Sequence, residues 1–185
     1  MAARSRFCVS FGTRLDLDLI MGEGAPAASQ ALVIPQDVHL VMGDVRELVE
    51  TGETPEQVLN GPSYRPCRLG SVLLRAASQT PLLLQAVVYD FARTPPATAD
   101  HVFGALVISL EEGRKRAFTS LAVRPLGTAH GGLDPEAFLR LLTQTCHSAA
   151  ELGTSLRRVS LMLASPGEMA SYEALLHQLV ERRGR

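Results

Sequence analysis

The sequence predicts a three-layer α/β/α sandwich built around a mixed, mostly parallel sheet, formed as a single domain over residues 1–185 with its core at about 6–182. Three observations carry this. Apolar runs of strand length alternate with helical stretches through the second half of the chain, and strand–helix–strand links force parallel neighbours and put helices over both sheet faces. The first twenty residues read instead as two strands joined by a tight turn, which adds an antiparallel pair. A chain of 185 residues, 46% hydrophobic and 20% charged, suits one globular domain with a full core.

The elements follow in order. Residues 6–11 alternate as a strand, and Gly12-Thr13 predicts a two-residue hairpin turn, with glycine supplying positive φ. Leu15, Leu17 and Leu19 alternate with Asp16 and Asp18, which predicts a half-exposed strand with one apolar and one acidic face. Gly22 to Ser29 is turn-like. Ala31 to Ile34 is a short apolar run suited to burial on both faces, and Pro35 is expected to stop it. Helical spacing from Val38 to Glu50 predicts a helix, followed by a proline-rich loop from Thr51 to Gly70 with a short helical turn at 55–59. Strands are predicted at 71–76 and from Leu82 to Phe91, and Thr94-Pro95-Pro96 breaks the chain.

Asp100 is the expected N-cap of a helix carrying Val102, Phe103, Leu106, Val107 and Leu110 inward, ending at Gly113 beside the basic Arg114, Lys115 and Arg116. Ala117 to Val123 predicts a strand closed by Pro125. Asp134-Pro135 is a strong helix start, with a stripe from Phe138 through Leu141, Leu142, Thr145 and Ala149 to Leu152 and a stop at Gly153. Leu156 to Ala164 predicts a strand. A last helix is expected from Glu168 to Arg182, with Met169, Tyr172, Leu175, Leu176 and Leu179 inward.

Composition narrows the function. The formal net charge is -1 and the pI near 6.5, so no field favours nucleic acid or an anionic membrane, and neither is an expected partner. Lys115 is the single lysine, which points to a GC-rich, bacterial coding bias. Cys8, Cys67 and Cys146 are odd in number and far apart, which fits neither a disulfide framework nor a CxxC pair and suggests a reducing, cytoplasmic setting. The first residues are not expected to be a signal peptide, and no apolar run approaches the roughly 20 residues of a membrane helix. No nucleophile-elbow, zincin or P-loop motif is present, and no cofactor is expected.

One segment carries a ligand-binding pattern. From Leu121 an apolar strand leads into Gly127-Thr128-Ala129-His130-Gly131-Gly132, and a helix begins at Asp134. Glycines let backbone N–H groups approach a phosphate, the helix N-terminus adds positive potential, and strand carboxyl ends are where ligands sit in such sheets. This segment resembles the second ligand loop of macro domains, where a strand and a proline precede a run like G-T-G-x-G-G. Gly22-Glu23, followed eight residues after Gly22 by Gln30-Ala-Leu-Val33, is similar to the family's G-D-I-T…D-A-I-V-N-A-A-N segment. The match continues through Asp37 to Val41-Met42-Gly43-Asp44-Val45, in place of the family's G-G-G-V loop. Val159 to Leu163, then Tyr172 and Leu176, also follow the pattern, so the resemblance runs in order from about residue 15 to residue 180.

The resemblance implies ADP-ribose or a related nucleotide as ligand, met by Glu23, Asp37, Gly43, Asp44, Gly127, Thr128, Ala129, His130, Gly131 and Gly132. Glu23 would accept from the adenine amino group. The departures imply lost catalysis. The family's asparagine pair becomes Ile34 and Asp37, and the aspartate that assists hydrolysis falls on Arg46. Asp44 puts a carboxylate where a diphosphate would approach, and like charges about 4 Å apart cost on the order of 1–4 kcal/mol. Ala129 replaces a glycine and requires a negative φ. The expected function is therefore a non-catalytic nucleotide-binding module. The alternatives are a ligand-free module for protein interaction or assembly, and a weak ADP-ribosyl hydrolase using Asp37 or Asp44.

Plainer readings stand beside these. Gly127–Gly132 is also what a helix-start turn needs, Asp37 and Asp44 also suit solvated loop acids, and His130 an exposed loop histidine. Tyr89-Asp90 either lines a pocket or opens the loop to Pro95. Cys146 and His147 point about 100° apart on a helix and form no nucleophile–base pair.

Overall fold

The computed structural model describes residues 7–12, 15–22, 25–26, 28–42, 65–75, 81–130 and 132–183. Among the described residues seven strands form one sheet: β1 (Phe7–Phe11), β2 (Leu15–Met21), β3 (Ala31–Asp37), β4 (Val72–Arg75), β5 (Leu82–Tyr89), β6 (Ser120–Val123) and β7 (Arg158–Leu163). Their order is β1-β2-β7-β6-β3-β5-β4. The five inner strands are parallel, and β1 and β4 close the two edges antiparallel. Three helices are described, α1 (Ala99–Lys115), α2 (Pro135–Glu151) and α3 (Pro166–Arg183). The mixed, mostly parallel α/β sandwich is thus the expected one.

The sheet face that carries Leu17, Leu19, Val33, Leu84, Leu121 and Leu161 shares one buried cluster with all three helices. Val102 and Leu106 enter it from α1, Phe138, Leu142 and Cys146 from α2, and Tyr172 and Leu176 from α3. Phe138 meets Tyr172 edge to face at 6.4 Å, a favoured aromatic geometry. The opposite face is buried as well, around Ile20, Ala122 and Met162.

Several elements differ from their sequence reading, each for a physical reason. The register Phe11↔Leu15 leaves three residues in the hairpin turn rather than two, with Gly12 at φ 60°. Asp18 is buried, not solvated, because β2 is an interior strand paired to β7, and interior parallel strands are covered on both faces. β3 runs through Pro35 to Asp37. Arg124 N donates to Val33 O, so the odd residues of β3 face β6, whose ladder ends at Val123; two residues on, Pro35 has no ladder bond to lose.

Val38–Met42 is a turn, not the start of a helix, with Leu40 at φ 60°. The Asp37 side chain binds the backbone there, and such local bonds compete with helix. The remainder of the helix expected to Glu50, and the helical turn at 55–59, lie outside the described residues. β5 stops at Tyr89, two residues short. α1 begins at an N-cap Thr98 instead of Asp100, which sits in the first turn where negative charge suits the helix dipole. It also passes through Gly113, where the Leu156 side chain packs, and ends where Ala117 takes φ 54°. β6 begins three residues late, at Ser120, and β7 two residues late, at Arg158.

The start of α2 is as read, with Asp134 Oδ1 accepting from Glu136 N at 2.7 Å. α3 starts two residues early through a capping box. Ser165 Oγ accepts from Glu168 N at 3.2 Å, and Glu168 Oε2 accepts from Ala164 N at 2.7 Å.

Phe138 is fully buried in the cluster that one sheet face shares with the three described helices. Phe138→Ala is expected to lower the unfolding free energy by about 3–5 kcal/mol in urea denaturation. A loss under about 1 kcal/mol would show that the helices do not depend on this contact.

Candidate functional site

Parallel pairing brings the carboxyl ends of β3, β5, β6 and β7 to one edge of the sheet, the usual ligand edge of such folds. Asp37 ends β3, Tyr89 ends β5, Arg124 follows β6, and Ala164-Ser165 link β7 to α3.

Asp37 is not a solvated loop acid. It is fully buried, with Oδ1 accepting from His39 N at 2.6 Å and Oδ2 from Val41 N at 3.1 Å. Gln36 Oε1 takes Met42 N at 3.2 Å, so two successive side chains hold the backbone that leaves β3. Cys67 N donates to Val38 O across the same turn. Burial, and then the Asp37 charge, raise the pKa of the Cys67 thiol. Glu23, Gly43, Asp44 and Gly131 lie outside the described residues.

The glycine loop is packed from behind. Gly127 has φ 77°, and a Cβ there would stand 2.8 Å from a Val102 methyl. A Cβ on Gly132 would stand 2.6 Å from Ala97 Cβ and 2.9 Å from Ala97 N. Leu133 N donates to Gly127 O at 2.9 Å and closes the loop on itself. These two glycines therefore let the loop lie against α1 and the segment before it. Ala129 is not among the described residues with positive φ, so its methyl strains nothing. Thr128 is half-buried, while Ala129 and His130 are exposed.

Tyr89 reaches into this loop. Its hydroxyl oxygen accepts the Ala129 N–H at 3.1 Å, and the residue is fully buried. Burial pushes the phenol above its ordinary pKa, while the backbone N–H groups around it, that of Ala129 first, pull it part of the way back. The Tyr89 ring stacks on Phe91 at 5.5 Å, and His130 meets both rings edge-on, at 5.3 and 5.6 Å. Asp90 turns away to start the next loop, accepting from Ala92 N and pairing with Arg93 at 2.8 Å.

Beside the loop lies a cleft of about 410 Å³, lined by Pro35, Arg124, Thr128, Ala129, Glu168 and Tyr172 among others. Arg124 brings positive charge to its wall. Glu168 is engaged in the α3 capping box. Among the described residues the buried Tyr172 hydroxyl has no hydrogen-bond partner, and burial raises its pKa well above the ordinary value. Thr128 faces it and offsets part of that rise without reaching hydrogen-bond geometry.

Of the expected site residues, Thr128 and Ala129 line this cleft, His130 packs on the aromatic pair, and Gly127 and Gly132 serve the packing behind. Arg124 was not in the expected set; its signal was a basic residue between the apolar strand and the glycine loop. Cys146 and His147 do not act together. Cys146 is fully buried with its thiol pushed up to about 12, and His147 Nε2 lies at the surface 3.3 Å from Glu151 Oε1. Among the described residues no group of three or more His, Cys, Asp or Glu side chains could hold a metal ion, and no helix is long and apolar enough to cross a membrane.

No protein-family model and no curated protein matches the chain. Solved structures do. The Oceanobacillus iheyensis macrodomain with ADP matches at TM-score 0.72 and 16% identity, over 95% of this chain and 97% of that one. The Trypanosoma brucei macrodomain in complex with ADP-ribose matches at TM-score 0.60 and 17% identity, over 85% and 68%. The macro domain of ganglioside induced differentiation associated protein 2 matches at TM-score 0.58 and 19% identity, over 85% and 82%. The chain has the macrodomain fold, as the Leu121–Leu133 segment implied, and is a divergent example of it.

The two tight glycines give a contrast. Gly132→Ala must displace backbone and is expected to cost about 1–3 kcal/mol in urea unfolding. Gly167→Ala, with nothing within 4 Å of the added methyl, should leave stability unchanged or raise it by up to about 1 kcal/mol. Equal effects would contradict the packing role of the loop.

Proposed function

We propose that this chain is a binding module for ADP-ribose or a closely related nucleotide and does not hydrolyse it. The observation that carries this reading is the cleft of about 410 Å³ at the carboxyl edge, bounded by the glycine loop and the start of α3. Solved examples of the same fold include one with ADP and one with ADP-ribose. Arg124 offers charge to a diphosphate, and Thr128 offers a hydroxyl beside it. Glu23 toward the adenine amino group, and Gly43 and Asp44 toward the diphosphate, are carried by the resemblance alone. Asp44 opposes a diphosphate and makes the binding weak.

The absence of hydrolysis is argued from Asp37 and Arg46. Asp37 is buried with both oxygens accepting backbone N–H groups, so it offers no carboxylate to a water in the cleft. Arg46 replaces the assisting acid. The three free cysteines suit a reducing, cytoplasmic setting.

A second reading, a ligand-free module for protein interaction, draws on a different place. An apolar groove of about 390 Å³ runs between α1 and α2, with Phe103, Val107 and Leu152 exposed along it.

Calorimetric titration with ADP-ribose separates the two. Saturable binding is expected, weakened at least about tenfold by Gly131→Glu, which places a carboxylate in the loop. No heat from folded protein at millimolar ADP-ribose would overturn the nucleotide reading and leave the interaction module.

A further inference from the structure

We infer that Tyr89 sets the affinity of the glycine loop for anions by acting as its internal competitor. The inference rests on the nucleotide reading and adds a residue to it. A glycine-rich turn binds phosphate by pointing backbone N–H groups at an anionic oxygen. Here the Ala129 N–H already points at an oxygen, the Tyr89 hydroxyl, at 3.1 Å. Ala129 also lines the cleft with Thr128 and Arg124, while its N–H is turned toward the buried Tyr89.

Tyr89 cannot swing aside cheaply. It is fully buried, its ring stacks on Phe91, and His130 packs edge-on against both rings. The loop is held onto the same oxygen from behind, because Gly127 and Gly132 lie against Val102 and Ala97. A phosphoryl oxygen seeking the Ala129 amide must therefore displace a neutral phenol oxygen that is already in place. That exchange removes one hydrogen bond from the binding balance, a factor of about five in affinity.

Tyr89→Phe keeps the ring and its stacking and removes only the oxygen. Calorimetry of the wild type and the variant would use two probes, ADP-ribose and inorganic pyrophosphate. The expected result is about fivefold tighter binding of both probes by Tyr89→Phe, with faster hydrogen exchange at the Ala129 amide before ligand is added. His130→Ala, which loosens the aromatic packing but leaves the oxygen, should show no gain.

Equal or weaker binding by Tyr89→Phe would overturn the inference and leave the nucleotide reading intact. An equal gain in His130→Ala would overturn it too, since loosening alone would then account for the effect. Tighter pyrophosphate binding with no ADP-ribose binding by either protein would uphold the inference and sink the nucleotide reading. Binding of neither probe by either protein would overturn both. A Tyr89→Phe chain that no longer folds would also overturn the inference, because the hydroxyl would then be a structural requirement.

Discussion

The carboxyl edge of this protein depends on where β3 is held. β3 pairs in parallel with β5 on one side and β6 on the other, so one strand fixes the relative height of Asp37, Tyr89 and Arg124. A bulge between Gln36 and Asp37 lets Asp37 pair with Tyr89 at the last step. Beyond it the backbone is captured at once, by Gln36 at Met42 and by Asp37 at His39 and Val41. A carboxylate spent on backbone in a fully buried position is a structural group.

The glycine loop shows that two readings of one segment need not compete. Gly127 and Gly132 meet Val102 and Ala97 too closely for any Cβ, which is the demand of a loop packed on a helix. Thr128 and Ala129, between them, face the cleft beside Arg124. Packing behind and exposure in front come from alternating small and polar residues. The same seat points the Ala129 amide at an internal oxygen, the Tyr89 hydroxyl.

Much of the fold was legible because its signals are local. Asp134-Pro135 is a cap and a first-turn proline in one dipeptide, and it starts α2 as read. The apolar runs at 31–34, 82–91 and 156–164 each mark a parallel strand, since strands buried on both faces need no alternation. The misreadings came from partners distant in sequence. Gly113 reads as a helix stop until Leu156 is seen against it. Pro35 reads as a strand stop until the β6 ladder is seen to end before it. Asp18 reads as solvent-facing until β7 pairs beside β2. The turn after Asp37 reads as helix because hydrophobic spacing carries no information about a side chain that binds its own backbone. At the site the glycine loop was legible as a motif, but the Tyr89 hydroxyl inside it joins residues 40 positions apart and left no pattern in the sequence.

We propose that ligand enters at the carboxyl edge and not between the helices. The most direct measurement is a map of backbone amide chemical shifts during titration with ADP. Saturable shifts are expected at Arg124, Thr128 and Ala129, with Val107 and Leu152 unmoved. Shifts confined to the α1–α2 groove, or none at the glycine loop at saturating ADP, would contradict it.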